Sequence, residues 1–262
     1  MAMWSDKKEF IFKAVEDMYT DVASRPGAVF HFPTGRLACL FVGYPAEQLD
    51  CLPDEATESF AGVGYPFAAD VIRPGDTVLD IGSGSGTDAL IAAMLTGETG
   101  VVYGLDMTRA MREKLQRTVT SKKIGHVRVL EGNAEHIPLP DASIDVVTSN
   151  GVLNLVPDKP TAFGEIARVL KPGGRLQISD IALRVPVSEQ SRADPKLWAE
   201  CVVGAITEGD YVSLLRAAGL SAQVFREMDY FAGSVNASTR RTAHALGAHA
   251  IVMRGRKSEI AQ

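Results

Sequence analysis

The chain's densest chemistry lies in Asp80-Ile81-Gly82-Ser83-Gly84-Ser85-Gly86-Thr87-Asp88, a run that leaves an apolar strand and enters a helix. Glycines in such a turn let a ligand approach the backbone closely, and the amides that open the helix then face it. The spacing is G-x-G-x-G, with Thr87 where the third glycine of a dinucleotide loop, G-x-G-x-x-G, would stand. No Gly-Lys-Ser/Thr follows, so this is not a phosphate-binding Walker loop. Asp80, just ahead of the loop, would repel phosphate but can accept hydrogen bonds from an ammonium or a hydroxyl. Loop and acid together favour a cofactor with a cationic amino-acid end over one with a pyrophosphate.

Further polar residues stand at the ends of later apolar runs. Asp106 closes the second, where a carboxylate suits a ribose diol; a cap for the helix beginning at "MTRAM" is the alternative, a role open equally to Thr108. Asn133, Ala134 and Glu135 follow the third run, where an adenine edge or an ordinary polar turn would use them. Ser149-Asn150-Gly151 ends the fourth, putting an amide and a residue with no side chain at a strand end.

These positions need elements to hold them. Residues 75–82, 100–106, 127–132, 143–149 and 174–180 read as strands. Residues 87–96, 108–123 (Ala110, Leu115 and Val119 inward) and 159–171 read as helices, the last stopped by "PGG". The alternation implies a parallel sheet with helices on both faces. Ahead of it, 6–22 reads as an amphipathic helix with Phe10, Ala14, Met18 and Val22 on one face, followed by the Pro/Gly-interrupted, aromatic "SRPGAVFHFPTGR". Residues 198–207 and 208–220 read as helices, and 222–231 and 248–256 as two strands pairing as a hairpin, with room between them for a short helix.

Composition excludes other classes. The net charge of -5 argues against non-specific nucleic-acid binding. No apolar run approaches the ~18 residues of a membrane span, and the N-terminal "MAMWSDKKEF" has no apolar signal core, so a cytoplasmic protein is expected. Cys39, Cys51 and Cys201 form no CxxC pair, and the five histidines make no HExxH or Cys/His cluster. No metal ligand is expected.

The motifs "VLDIGSGSGTD", "GLDMT", "EGNAEHIPLP", "IDVVTSN" and "RVLKPGGRLQISD" together resemble the class I S-adenosylmethionine-dependent methyltransferases over about residues 70–182. The resemblance implies a Rossmann-like, doubly wound, mostly parallel seven-stranded sheet with an antiparallel last strand. An N-terminal helical cap or lid would occupy 1–70, the cofactor-binding domain 71–262, and a substrate-side insert 181–207. It implies S-adenosylmethionine as cofactor, S-adenosylhomocysteine as product, and cofactor contacts from Asp80, Gly82, Ser83, Gly84 and Gly86, then Asp106 and Met107, Asn133 and Ala134. Asn150 would face the methionine end and the sulfonium.

"GETGVVYGLDMT", "SNGVLNLVPDK" and "CVVGAIT" are similar to the arsenite methyltransferase branch, which holds arsenic with three thiolates. Here Val63 and Gly151 occupy two of those positions and Cys201 the third. Soft arsenic needs several thiolates, so the expected reaction is methyl transfer to a small-molecule acceptor at an S, O, N or C centre. Methylation of arsenite or a small thiol is the alternative. A nicotinamide oxidoreductase and a non-catalytic cofactor-binding module are more distant ones. Should the acceptor lose a proton, His31, Cys201, Asp180 and Tyr19 are the candidates, with His31, Cys201 and Tyr19 favoured.

Overall fold

Short runs rich in Val, Ile and Leu, buried on both faces, build the strands that carry the site. The computed structural model describes residues 2–187, 203–234 and 236–259. Its strands are β1 (Thr77–Ile81), β2 (Val101–Asp106), β3 (Val127–Glu131), β4 (Ile144–Asn150), β5 (Leu170–Leu183), β6 (Ile206–Thr207), β7 (Leu220–Met228) and β8 (His249–Lys257). The sheet order is β3-β2-β1-β4-β5-β8-β7, with β6 paired to β5. β8 is antiparallel to both neighbours; the pairings of β1 to β6 are parallel. The strand order reverses between β1 and β4, where such sheets open a crevice at their carboxyl ends.

Alternate residues of each strand feed two cores. Val78, Val102 and Val146 pack on one face with helices α5 (Thr87–Thr96) and α6 (Arg109–Ser121). Leu79, Leu105 and Val147 pack on the other with α7 (Lys159–Val169) and α8 (Glu208–Ala217). This is the doubly wound arrangement expected, and the hairpin of β7 and β8 is present with α9 (Ala237–Leu246) crossing between its strands.

Three features differ from the sequence reading. An eighth strand, β6, occupies the end of the stretch read as a helix over 198–207. There Thr207 caps α8, accepting from the Asp210 amide at 3.2 Å, and the extended backbone of a cap excludes helix; residues 198–202 lie outside the described residues. β5 starts at Leu170, with the register shift against β4 absorbing "PGG". The first helix, α1 (Ala2–Ser24), buries Ile11, Val15, Val22 and Ala23 and leaves Phe10 67% exposed. Residues 10–12 are Phe-Ile-Phe, so periodicity alone admits neighbouring stripes, and packing on α6 selects the one through Ile11.

Residues 25–76 hold three short helices, α2 (Gly35–Phe41), α3 (Ala46–Leu49) and α4 (Asp54–Thr57), packed on the α5/α6 face. Lys114 of α6 reaches the Ser59 hydroxyl at 2.8 Å and pairs with Glu58. No described helix is long and apolar enough to cross a membrane.

The α1 face has a direct check. Ile11→Ala is expected to lose about 2–4 kcal/mol in urea denaturation, and Phe10→Ala to stay within about 0.5 kcal/mol. The opposite ranking would restore the face through Phe10.

Candidate functional site

At the carboxyl ends of β1 to β4 lies a cleft of about 950 Å³, counting its open mouth. Its floor is the glycine loop 82–85 with Thr87 and Asp88. Its sides are Asp106 to Thr108, Gly132 to Ala134 and Asn150 to Val152, and its cover comes from Phe12, Val15 and Tyr19 of α1 and from 59–62. The topology brings Gly82, Ser83, Gly84, Asp106, Met107, Asn133, Ala134, Asn150 and Tyr19 to this one cleft.

The loop is tied down from below. The amides of Gly82 and Ser83 donate to the Leu105 carbonyl at 2.7 and 3.0 Å. A Cβ on Gly82 would lie 2.2 Å from Val152 Cγ2, so no side chain fits there. Gly86 supplies the left-handed cap of α5. The Ser85 and Thr87 hydroxyls both donate to the Ala56 carbonyl at 2.7 Å, binding the loop to α4.

Asp106 accepts from the Gly84 amide through Oδ2 and from the Thr108 amide through Oδ1, both at 2.8 Å. Thr108 is the N-cap of α6 but makes no side-chain cap hydrogen bond. Each Asp106 oxygen retains accepting capacity towards the cleft. Asn133 accepts from the Glu135 amide at 2.8 Å. Glu135 points to the rim, ion-pairing with Lys8 of α1 at 2.5 Å and accepting from the Asp158 amide at 2.8 Å.

Asn150 lines the cleft, but its amide is already engaged. Its Oδ1 accepts from the Val63 and Gly64 amides at 2.8 and 3.3 Å. Its Nδ2 reaches Tyr44 Oη and the Gly64 carbonyl, both at 2.9 Å, and Asp88 Oδ2 at 3.1 Å. Tyr44 in turn donates to Asp88. Asp88 and Tyr44 were missed by the sequence reading. Asp88 had a signal, an acid in the first turn after the glycine loop; Tyr44, 44 positions before Asp88, had none.

The cleft is strongly acidic. Burial pushes Asp88 up to about 6, against the hydrogen bonds from Tyr44 and Asn150 that favour its charged form. Burial raises Asp80 well above the usual carboxylate range, reinforced by repulsion from Asp88 and Asp106, and burial likewise raises Asp106. Asp80 Oδ2 is buried without a hydrogen-bond partner. Among the described residues lining the cleft, none is Lys or Arg. Carboxylates held this way call for a cationic ligand, and a sulfonium with an ammonium beside it fits.

Of the remaining described candidates, Asp80, Gly86, His31 and Asp180 are not among the residues that line the cleft. His31 packs edge-on against Phe32 at 4.6 Å, with burial lowering its pKa, and Phe32 stacks on Tyr19 at 6.1 Å, so one ring separates His31 from the cleft's cover. Asp180 is fully buried and accepts from the Asn154 amide at 3.0 Å and from Tyr211 at 2.9 Å. That pair of bonds steadies the turn at 153–155 and leaves Asp180 no path to an acceptor. Cys201 lies outside the described residues. Cys39 is buried and Cys51 exposed, and neither reaches the cleft.

Gly151 lies against Val63: a Cβ built on it would be 3.2 Å from Val63 Cγ1. Gly151 and Val63, the two positions where the resemblance would place thiolates, are therefore neighbours here, and both lack sulfur. Gly151 also has φ +71°, a left-handed backbone that disfavours any side chain.

Replacing Asn150 with Leu is expected to cost about 2–4 kcal/mol, because it strips partners from the Val63 amide, Tyr44 and a buried carboxylate at once. Chemical denaturation measures this, and a loss below about 1 kcal/mol would mean the clasp is dispensable.

The family model described as "Methyltransferase domain" matches residues 72–219. An arsenite methyltransferase from Halobacterium salinarum is 39% identical over 181 residues, covering 69% of this chain and 46% of that protein. The chain spans about half the length of the curated relatives it matches first. Among solved structures, an arsenic(III) S-adenosylmethionine methyltransferase from Chlamydomonas reinhardtii is 32% identical with a TM-score of 0.68, covering 82% of this chain and 73% of that one. The [4+2]-cyclase SpnF shares the fold at a TM-score of 0.59 and 17% identity, covering 93% of this chain and 96% of that one, so the fold by itself does not name a reaction. With its glycine loop, acidic strand ends and 3-2-1-4-5 sheet core, the chain belongs to the family of methyltransferase domains that use S-adenosylmethionine.

Proposed function

We propose that the protein is a methyltransferase acting on a small organic acceptor, and that it does not hold arsenite through a set of three thiolates. The observation that carries this is the closeness of Gly151 and Val63, where a Cβ added to Gly151 would lie 3.2 Å from Val63 Cγ1 and neither residue offers sulfur. No cysteine among the described residues lines the cleft.

When bound, S-adenosylmethionine supplies a methyl group on a cationic sulfur, already activated for in-line displacement. The protein's task is then to position, to neutralise and to exclude water. Gly82, Ser83, Gly84 and Gly86 cradle the amino-acid end. Asp80 and Asp88 balance its charge, Asp106 and Met107 take the ribose, and Asn133 and Ala134 border adenine. Asn150 serves this site by fixing Asp88 and the 62–64 segment. Residues 1–70 act as a cap over the domain formed by 71–262; most of the expected substrate-side insert, 181–207, lies outside the described residues. Phe12, Val15, Tyr19 and Phe60 give that cap an apolar inner surface. Of His31, Cys201 and Tyr19, we assign proton handling at the acceptor to Tyr19, which lines the cleft.

The names of the relatives favour a second reading, arsenite methylation, with Cys201 as the single matched thiol. Release of S-adenosylhomocysteine across a panel of small thiols, phenols, amines and arsenite separates the two. Turnover is expected with an organic acceptor and only background with arsenite. Arsenite turnover that survives Cys201→Ser would overturn the proposal.

The acidic cleft adds a pH signature. Asp88 is protonated in the free protein below about pH 6, and a cationic ligand prefers its ionised form. Affinity for S-adenosylmethionine therefore rises with pH through that value, by up to about tenfold per pH unit for one released proton. Isothermal titration between pH 5 and 7 measures the slope. Asp88→Asn should flatten it, and a slope unchanged in that variant would remove Asp88 from the cofactor site.

A further inference from the structure

A second group of chemistry-bearing side chains meets away from the donor cleft, where the ends of four strands converge. β8 begins at His249, opposite Ala182 near the end of β5. Glu227 of β7 lies opposite Ile251, two residues along β8 and on the same face of the sheet as His249. β6 pairs Thr207 with Leu183, which brings Glu208, the first residue of α8, to the same corner. One ligand atom from each of Glu208, Glu227 and His249 lies within 4.8 Å of the others. The three residues are separate in sequence, which is why spacing did not reveal them.

His249 carries the argument. Its Nδ1 lies 2.8 Å from the Gly247 carbonyl, and a carbonyl only accepts, so Nδ1 holds the hydrogen. The neutral ring then presents a bare lone pair at Nε2. This atom is buried without a hydrogen-bond partner, in a residue only 9% exposed. It stands 3.8 Å from Glu227 Oε2. A lone pair facing a carboxylate at that distance is unfavourable unless a proton or a metal cation joins them, and both would occupy the same position. A backbone carbonyl that fixes the tautomer and aims the other nitrogen is also the usual second-shell support of a metal-bound imidazole.

Arg184 already brings positive charge to the corner. Its guanidinium pairs with Glu227 and lies 3.8 Å from Glu208. Its side chain is 55% exposed at the end of β5, so it can swing into solvent.

We propose that Glu208, Glu227 and His249 bind a divalent first-row transition ion such as Zn²⁺, with Arg184 as a built-in competitor for the carboxylates. One imidazole and two carboxylates suit such an ion better than Ca²⁺ or Mg²⁺, which prefer all-oxygen ligands. The bound ion cross-links α8 to β7 and β8. None of its three ligands lines the donor cleft, so the site is independent of the methyltransferase reading.

The test uses the full chain, stripped with EDTA and exchanged into chelator-free buffer. Zn²⁺ is titrated calorimetrically and Co²⁺ spectroscopically. Saturable binding of a single ion is expected, weakened at least about tenfold by His249→Gln, weakened by Glu208→Gln, and strengthened by Arg184→Gln. Co²⁺ should give ligand-field bands without thiolate charge-transfer absorption. Circular dichroism checks that each variant folds. No saturable binding by either the natural chain or Arg184→Gln would overturn the site. So would affinity unchanged in both His249→Gln and Glu208→Gln, or a thiolate charge-transfer band, which would place the ion on cysteine.

Discussion

One amide at the end of β4 holds the donor side of this protein together. Asn150 satisfies the Val63 and Gly64 amides, the Gly64 carbonyl, the Tyr44 hydroxyl and one oxygen of Asp88. Those partners come from the α2–α3 connection, the segment before β1 and the first turn of α5. Buried polar groups of this kind must be paired, and few alternative arrangements pair all of them. The segment passes so close over the amide that a Cβ on Gly62 would meet Nδ2 at 2.5 Å. The cap cannot shift relative to the sheet without breaking this set. The Ser85 and Thr87 bonds to Ala56 and the Lys114 bond to Ser59 extend the same coupling to α4 and α6.

The clasp also explains how the cleft tolerates its charge. Asp88 and Asp106 sit close enough to Asp80 to raise its affinity for protons, with no basic side chain lining the cleft among the described residues. Hydrogen bonds to Asp88 and Asp106 limit the penalty, while Asp80 Oδ2 stays unpartnered. Burial favours the protonated forms of Asp80 and Asp88 in the empty cleft, so a bound cation would stabilise their ionised forms. Gly151 lines the cleft beside Val63 with backbone and hydrocarbon, so on the proposed reading an acceptor there would meet packing in place of coordination.

Much of this was legible because it is local. A glycine loop, the strand before it and the helix after it are neighbours in sequence, and α5 runs over the predicted residues 87–96. The acids at strand ends were legible for the same reason, since a parallel sheet puts consecutive strand ends on one edge. The α1 face was not, because Phe10-Ile11-Phe12 offers apolar side chains in adjacent directions and only packing on α6 chooses among them. β6 was hidden in an apolar stretch whose period also fits a helix, and the Thr207 cap decided it. Asn150 was legible as a polar strand end, with a partner set that only the fold supplies.

The sequence by itself determined the kind of fold and the kind of ligand, because both follow from short-range patterns: alternating apolar periods, glycines at a turn, acids at strand ends. Tertiary structure alone decided which groups remain available once folding has used its share. It engaged Asn150, Asp180 and Glu135 in internal bonds, placed Tyr19 at the cleft, and set Gly151 against Val63. It also gathered Glu208, Glu227 and His249 from three elements into one corner. The reason is physical: a side chain's chemistry belongs to its environment, and burial, hydrogen bonding and neighbouring charge are set by residues far away in the chain.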